Sequence, residues 1–397
     1  MKVLVINAGS SSVKFQLFSM NNEDIIAKGQ LERLGSDSPN LIYKRYDGKS
    51  LEEVQKISDY KDAFKIIADK LIDPEYGVMK SLDEVQAIGH RVVHGGEKVT
   101  KPALVNDEIK KVIKDCFSLA PLHNPPNYSG IEACQEMFPN APNVAVFDTA
   151  FHQTMPPEAY LYAIPYKLYT DHSIRRYGFH GTSHHFVALA TAKMLNTTID
   201  KLKLITCHIG NGCSITAINN GNVVDTSMGL TPLEGLVMGT RSGDVDPAII
   251  FKLMDIGMSP KEIDKCLNKE SGLLGVSGVS SDMRDIINAG NDGNERASRA
   301  LKMFARRIIK YTGAYYALLG GADALVFTGG IGEYSIPVRE LVVKGLSGMG
   351  LNLDKDANDA CFGKQAVISK DSSSWKAIVM PTNEELMIAQ QTLKVIK

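Results

Sequence analysis

Two stretches about half a chain apart share one plan of apolar and polar positions. Val3-Leu-Val-Ile-Asn-Ala-Gly9-Ser-Ser-Ser12-Val-Lys14-Phe-Gln-Leu-Phe18 runs as an apolar strand, a turn of small residues and an alternating strand. Leu204-Ile-Thr-Cys-His208-Ile-Gly210-Asn-Gly212-Cys-Ser-Ile-Thr-Ala-Ile218 repeats that plan. Alternation sends successive side chains to opposite faces, so both stretches predict hairpins. Each has a tight loop in which glycine and small polar residues leave backbone N–H groups open to a ligand. Residue identity between the two is slight, so the repeat is architectural and predicts two domains of related design.

Each half also holds an unbroken apolar run that ends in a polar loop. Val144-Ala-Val-Phe147 leads into Asp148-Thr-Ala, and Ala324-Leu-Val-Phe327 leads into Thr328-Gly-Gly-Ile-Gly332-Glu. Runs of this length fit strands covered on both faces by helices. One such helix is predicted over 294–319, where Ala297, Leu301, Phe304, Ala305, Ile308, Thr312, Tyr315 and Leu319 fall on one face. Arg299, Lys302, Arg306 and Lys310 lie mostly opposite, and Gly320-Gly321 ends it. A second is predicted over 383–397. Strands alternating with helices give an α/β fold, and a domain boundary is placed near residue 150.

Composition narrows the partners. With 44 basic and 45 acidic residues the net charge is -1, so no global field draws in nucleic acid or an anionic membrane. Any anion must be held by a local site. The apolar start at 1–6 is too short for a signal peptide, and no run reaches the ~20 residues of a membrane span. The 6 cysteines form no CxxC pair and read as reduced thiols, which makes the cytoplasm the expected address.

Three glycine-rich turns then carry the chemistry: Asn7-Ala-Gly-Ser-Ser-Ser12, His208-Ile-Gly-Asn-Gly212 and Gly329-Gly-Ile-Gly332-Glu. Such turns bring N–H donors to an anion without interference from Cβ. One alone reads as an ordinary turn; three, with hydroxyl, Asn and Lys neighbours, point to a nucleotide. GxxxxGK[ST] is absent, as are the protein-kinase phrases, and Gly330-Ile-Gly332 lacks the third glycine of the dinucleotide fingerprint. Arg91 in His90-Arg-Val-Val-His94-Gly-Gly96 and Arg241 in Met238-Gly-Thr-Arg241 sit among small residues, from which a guanidinium can grip a carboxylate or phosphoryl group. The alternative for either is a surface Arg beside a loop. The i, i+4 spacing of His90/His94 and His180/His184 also suits zinc, but no third ligand is apparent. His123 lies in a Pro-stiffened loop, and His180 lies between Phe179 and Gly181. Asp148 follows a buried strand, where α/β folds place catalytic groups and where it could equally cap a helix.

Together, Val5-Ile-Asn-Ala-Gly-Ser-Ser-Ser12, His90-Arg-Val-Val-His-Gly-Gly96, Leu119-Ala-Pro-Leu-His-Asn-Pro-Pro126, Phe147-Asp-Thr-Ala-Phe-His-Gln-Thr-Met-Pro-Pro157, Tyr177-Gly-Phe-His-Gly-Thr-Ser-His184, Thr231-Pro-Leu-Glu-Gly235, Met238-Gly-Thr-Arg241 and Pro381-Thr-Asn-Glu-Glu385 resemble the acetokinase family in order and over nearly the whole chain. The resemblance implies an α/β fold of two related actin-like, ribonuclease H-like domains with an interdomain ATP cleft. Residues 1–150 plus 385–397 would form the acetate side and 151–384 the nucleotide side. It implies a homodimer that transfers the γ-phosphoryl group of ATP to acetate, with Mg²⁺, or Mn²⁺ in its place, and with neither nucleic acid nor membrane as partner.

Family roles then fall on matching positions. Asn7 and Glu384 would hold the metal, and Ser10, Ser12 and Lys14 would face the phosphoryl group. His208, Ile209, Gly210, Asn211 and Gly212 would cradle the phosphates. Asp282, Met283 and Arg284, with Gly330, Ile331, Gly332, Glu333 and Tyr334, would receive adenosine. Arg91, Arg241, His180 and His123 would hold acetate and the phosphoryl group, with Val93, Leu122, Phe179 and Pro232 around the methyl. Asp148 would move a proton or hold an Arg in place. Since a carboxylate acceptor is already ionised at pH 7, the orienting role is preferred. Tyr334 departs from the family phrase, which ends in Asn, and the pocket at Val93 leaves propionate as an alternative acceptor. A sugar-kinase-like ATPase is the remaining alternative.

Overall fold

A computed structural model describes residues 1–36, 38–57 and 59–397. They divide into two units, Met1–Gln153 with Asn383–Lys397, and Thr154–Thr382. The first unit runs past residue 150 because Ala150 still packs with Phe147 and Val92. The returning segment starts before 385 because Asn383 caps the C-terminal helix, Glu384–Ile396, by accepting from the Leu386 N–H.

In the first unit β1 (Lys2–Ala8), β2 (Ser12–Ser19), β3 (Asp24–Glu32), β4 (Asn40–Arg45) and β5 (Ser50–Val54) form an antiparallel meander. β6 (Ala87–Val92) adds to β1 in parallel, β8 (Asn143–Phe147) adds to β6 in parallel, and β7 (Ala103–Leu104) closes the edge. Alternation sorts the two faces. Leu4, Ile6, Val13, Phe15 and Leu17 pack on Phe64 and Ile67 of the helix Tyr60–Leu71. Val3, Val5, Phe18, Ala87, Val144 and Val146 pack on Ile388 and Ala389 of the C-terminal helix. That helix lies close because β6 has Gly89 beneath it; a Cβ there would stand 2.4 Å from Thr392 Oγ1.

The second unit repeats the arrangement. β9 (Lys203–Ile209), β10 (Cys213–Asn219) and β11 (Asn222–Thr226) run antiparallel. β12 (Ala324–Thr328) joins β9 in parallel, and β14 (Lys376–Val379) joins β12 in parallel, with β13 (Ala366–Val367) at the edge. The order β3-β2-β1-β6-β8 in one sheet thus matches β11-β10-β9-β12-β14 in the other. Two α/β sheets of one design replace the slight identity read from the sequence. The helix predicted over 294–319 is Glu295–Leu318, capped by Asn294; Ala300 is buried on its inner face and Leu301 is only half-buried.

In β6, on the opposite face from its neighbour Arg91, His90 is buried, with Nε2 2.7 Å from Asn143 Oδ1. The Asn143 Nδ2 group donates to Ala141 O, so Oδ1 faces the ring and the proton sits on Nε2. Burial pushes the imidazole down, to about 4. Below pH 6.5 an unfolded His90 takes up a proton that the folded one refuses, so stability falls with falling pH through that window. A loss on the order of 2 kcal/mol from pH 7 to pH 5 is expected from this site. Urea unfolding of wild type and His90→Gln at the two pH values checks it; an equal pH dependence in both would remove His90 as the cause.

Candidate functional site

Parallel strands leave their carboxyl ends at loops, and ligands of α/β sheets bind there. In the first unit β1, β6 and β8 end at Ala8, Val92 and Phe147. On the face covered by the C-terminal helix, the apolar positions give way at this end to polar ones. Val3 and Val5 are followed by Asn7, Ala87 and Gly89 by Arg91, and Val144 and Val146 by Asp148. Lys14 of β2 pairs across the ladder with Asn7, so it stands on the same face. Arg91 Nη2 donates to Asp148 Oδ2 at 2.5 Å, and Nη1 donates to Asn7 Oδ1 at 3.3 Å. The Asp148 carboxylate is buried. Burial alone would lower the Arg91 guanidinium, but Asp148 and Glu384 outweigh it and raise it.

Glu384 opens the C-terminal helix beside these groups. Burial pushes its carboxyl up, to about 7, with Arg91 and Lys14 opposing and Asp148 and Glu385 adding to the rise. Two carboxylates and an amide oxygen thus meet two cations at the ends of three strands. Among the described residues no three His, Cys, Asp or Glu side chains gather as a metal-holding group. Asn7 and Glu384 fit a different habit, that of Mg²⁺, which takes one or two protein oxygens and draws the rest from phosphates and water. Their hard oxygen donors suit that ion and do not suit zinc. The turn 9–11 is held in shape by Gly9 N–H donating to Ser12 O at 2.7 Å, with Ser10 and Lys14 exposed and Ser12 half-buried. Val93 is buried, whereas Leu122 is 63% exposed. His123 is exposed at the start of the helix Asn124–Met137.

In the second unit the turn 210–212 occupies the matching place, with Gly210 N–H donating to Gly212 O at 3.0 Å. His208 stands in β9 as Asn7 stands in β1, paired with Ser214 as Asn7 is paired with Lys14. His180 takes a left-handed backbone, φ 56, at the head of the helix Gly181–Met194. Such a conformation in a bulky residue costs on the order of 1–3 kcal/mol and is kept where a site demands it. Its ring stacks on His208 at 4.3 Å. Hydroxyls hold all three rings: Ser214 Oγ lies 2.9 Å from His180 Nδ1 and 2.7 Å from His184 Nε2, and Thr206 Oγ1 lies 2.7 Å from His184 Nδ1. Ser183 Oγ lies 2.8 Å from His208 Nδ1. With both His184 nitrogens engaged, and with His90 Nε2 on Asn143 and His94 Nδ1 accepting from Gly96 N–H, neither i, i+4 histidine pair is set to hold zinc.

Arg241 reaches this turn: a Cβ on Gly212 would lie 3.6 Å from Arg241 Nη1 and 3.5 Å from His180 Nε2. Its Nη1 donates to Pro232 O at 3.0 Å, which ties the Arg to the backbone of the proposed pocket wall. That wall is pinned in turn. Arg176 Nη2 donates to Glu234 Oε1 at 2.6 Å, and Tyr162 OH donates to Glu234 Oε2. Phe179 is buried beside His180 in sequence. Gly239 brings two further phrases together, since a Cβ there would strike Asn211 Oδ1 at 1.9 Å and Ser281 O at 3.2 Å. Gly329, at φ 76, abuts Ile209, so the short helix Gly329–Tyr334, with Gly330, Ile331 and Gly332, begins beside the β9 end.

In the two segments expected at adenosine, two side chains turn inward. The Glu333 carboxylate folds back to accept from Gly329 N–H at 2.9 Å and Thr382 N–H at 3.2 Å, so it braces its own loop. The Met283 side chain is buried, while Asp282 caps the helix Met283–Asn291 and pairs with the exposed Arg284 at 2.6 Å. Tyr334 is half exposed, edge-on to Phe362 at 4.9 Å. Sequence reading missed Ser183, Ser214, Thr206, Glu234, Asn124 and Asn127. The two asparagines carried a signal, since residues three apart share one helix face; the hydroxyls carried none.

Known proteins match this geometry along the whole chain. Residues 2–390 match the model of the acetokinase family. An acetate kinase of Natranaerobius thermophilus is 54% identical over 98% of this chain and 98% of its own. The crystal structure of Porphyromonas gingivalis acetate kinase superposes with a TM-score of 0.96 at 47% identity, covering 100% of both chains. That of a propionate kinase from Francisella tularensis subsp. tularensis SCHU S4 superposes with a TM-score of 0.92 at 43% identity, covering 99% of each.

Proposed function

The chain belongs to the acetokinase family, and on that premise we propose how its residues perform the reaction. It is an acetate kinase-type phosphotransferase: the γ-phosphoryl group of ATP passes reversibly to the carboxylate of acetate, giving acetyl phosphate and ADP. ATP and ADP are its co-substrates, with a divalent metal. Our reading makes that metal Mg²⁺, or Mn²⁺ in its place, held by Asn7 and Glu384; when bound it neutralises charge on the phosphate oxygens.

The protein's task in phosphoryl transfer is alignment and positive charge around three equatorial oxygens. Arg91, Lys14, Arg241 and His180 supply it. The observation that carries this reading is the gathering of Asn7, Lys14, Arg91, Asp148 and Glu384 at one end of one sheet face. Asp148 orients Arg91; proton transfer is not needed, because acetate is ionised at pH 7. The turns 9–11 and 210–212 receive phosphates on backbone N–H groups, and 282–284 with 330–334 receive adenosine. The family resemblance assigns the methyl group to Val93, Leu122, Phe179 and Pro232.

Turnover with acetate, propionate, butyrate, glycerol and no acceptor tests the acceptor class. Acetate is expected fastest. Propionate follows at a kcat/KM lower by roughly 10–200-fold, which is what one methylene is worth in an apolar pocket. The likeness to a propionate kinase supports propionate as the second acceptor. Faster turnover with butyrate or glycerol than with acetate would overturn the assignment.

We also propose a homodimer. The helix Ala248–Asp255 buries none of its residues, although it carries Ile249, Phe251 and Met254, with Phe251 68% exposed. The family resemblance implies a homodimer, and we assign this face to a second copy of the chain. Light scattering is expected to read about twice the chain's mass, and Phe251→Glu to read the monomer.

A further inference from the structure

Past the pair Ile6–His90, β1 and β6 no longer pair with each other, and the residues of the site begin where they part. A buried side chain fills that gap. Asn127, on the inner face of the helix Asn124–Met137, donates from Nδ2 to Ala8 O at 2.6 Å and accepts on Oδ1 from Val93 N–H at 3.0 Å. One side-chain amide therefore does what a strand's peptide group would do, an acceptor toward one strand end and a donor toward the other. The ladder is carried one step further than the backbones can carry it. A turn of helix earlier, Asn124 holds the next residue in the same way. Its Oδ1 accepts from His94 N–H at 3.0 Å, and its Nδ2 donates to His94 O at 2.9 Å. The helix can come this close because residue 130 is glycine, where a Cβ would stand 3.1 Å from Ala8 Cβ.

We propose that Asn127 is a positioning residue for phosphoryl transfer, which sets the spacing between the β1 turn carrying Asn7 and 9–11 and the β6 end carrying Arg91 and Val93. This rests on the functional reading above. Ala8 lies between Asn7 and Gly9, and Val93 is itself the proposed methyl wall, so each of its two bonds ends on a neighbour of a reacting group. Shifts of about 1 Å in such a frame cost up to roughly 10²-fold in rate. The same unit offers a second buried asparagine for comparison. Asn143 is also buried and makes bonds of the same kind to His90 and Ala141, but it opens β8, at the end away from Phe147 and Asp148, and bonds neither the β1 turn nor Val93.

The test compares Asn127→Leu with Asn143→Leu in full-length protein, with rates corrected for the folded fraction. Asn127→Leu is expected to lose at least about tenfold in kcat/KM for acetate, with the loss seen in KM as well as kcat, while Asn143→Leu loses stability and keeps its rate. Asn127→Asp adds a readout that a packing role would not move. A protonated carboxyl is both donor and acceptor, as the amide is, whereas a carboxylate repels Ala8 O. The ratio of Asn127→Asp to wild-type kcat/KM is therefore expected to rise as pH falls from 8 to 6, and this comparison decides the matter if the Leu variant does not fold. Equal loss in the two Leu variants, or retention of rate by a folded Asn127→Leu, would overturn the proposal. So would a pH-independent ratio for Asn127→Asp. Failure of the functional reading itself shows elsewhere, as wild-type protein without acetate-dependent turnover.

Discussion

Arg241→Ala is expected to lower kcat with acetate by a factor on the order of 10³, with the fold intact. A factor of 10³ is about 4 kcal/mol of transition-state stabilisation, in the range of one charged donor aimed at a transferring phosphoryl group. The structural cost is small because of what Arg241 touches. Its guanidinium donates to Pro232 O and contacts Met238 Sδ, both uncharged, so truncation strands no buried anion. Arg91→Ala is expected to show a comparable rate loss and a stability loss as well. It removes the cation from the buried Asp148 carboxylate, a change worth about 3–5 kcal/mol in a buried pair. Adding Asp148→Asn to Arg91→Ala should restore much of the stability and none of the rate. Steady-state kcat, KM for both substrates and thermal unfolding separate these effects. A folded Arg241→Ala with near-normal turnover would remove Arg241 from the site.

What the sequence made legible was local. The two hairpins and the apolar strands follow from alternation and run length, and so does the sharing of one face by Val3, Val5 and Asn7. Asn7 and Lys14 could be placed opposite each other because the turn between them is short. Pairing between distant segments was beyond such reasoning. Nothing in residues 87–92 says that they lie beside β1, so the meeting of Arg91 with Asn7 was implied only by the resemblance to a family. Residues whose role depends on non-local backbone were missed altogether. Arg339, which no motif singles out, is fully buried, donating to the carbonyls of Gly332, Glu333, Asn358 and Cys361. Those carbonyls come from the ends of helical segments that no motif brings together. Glu333 is a second case: nothing in its phrase shows that its carboxylate turns back to accept from Gly329 N–H and brace the loop.

Glu384→Ala is expected to raise the Mg²⁺ concentration for half-maximal rate by roughly 10–100-fold and to lower kcat strongly. The protein itself should lose little stability. Burial raises the Glu384 carboxyl, to about 7, with Asp148 and Glu385 adding to the rise and Arg91 and Lys14 offsetting only part of it, so its removal relieves a crowded set of carboxyls. A residue kept at a cost to the empty protein is explained by what it does in the loaded one. This gives a readout that does not depend on turnover. With ADP and Mg²⁺ each near 100 times its dissociation constant, bound ligand stabilises a folded protein by about 2.7 kcal/mol per site, seen as a raised thermal midpoint. Wild type is expected to gain an increment on adding Mg²⁺ to the ADP complex, and Glu384→Ala is expected to lose that increment while keeping the one due to ADP. Glu385→Ala, one residue further along the same helix, should retain both. If Glu384→Ala kept the Mg²⁺ increment in full, the metal would have to be held by other oxygens, and the carboxyl crowding at this strand end would need a different cause.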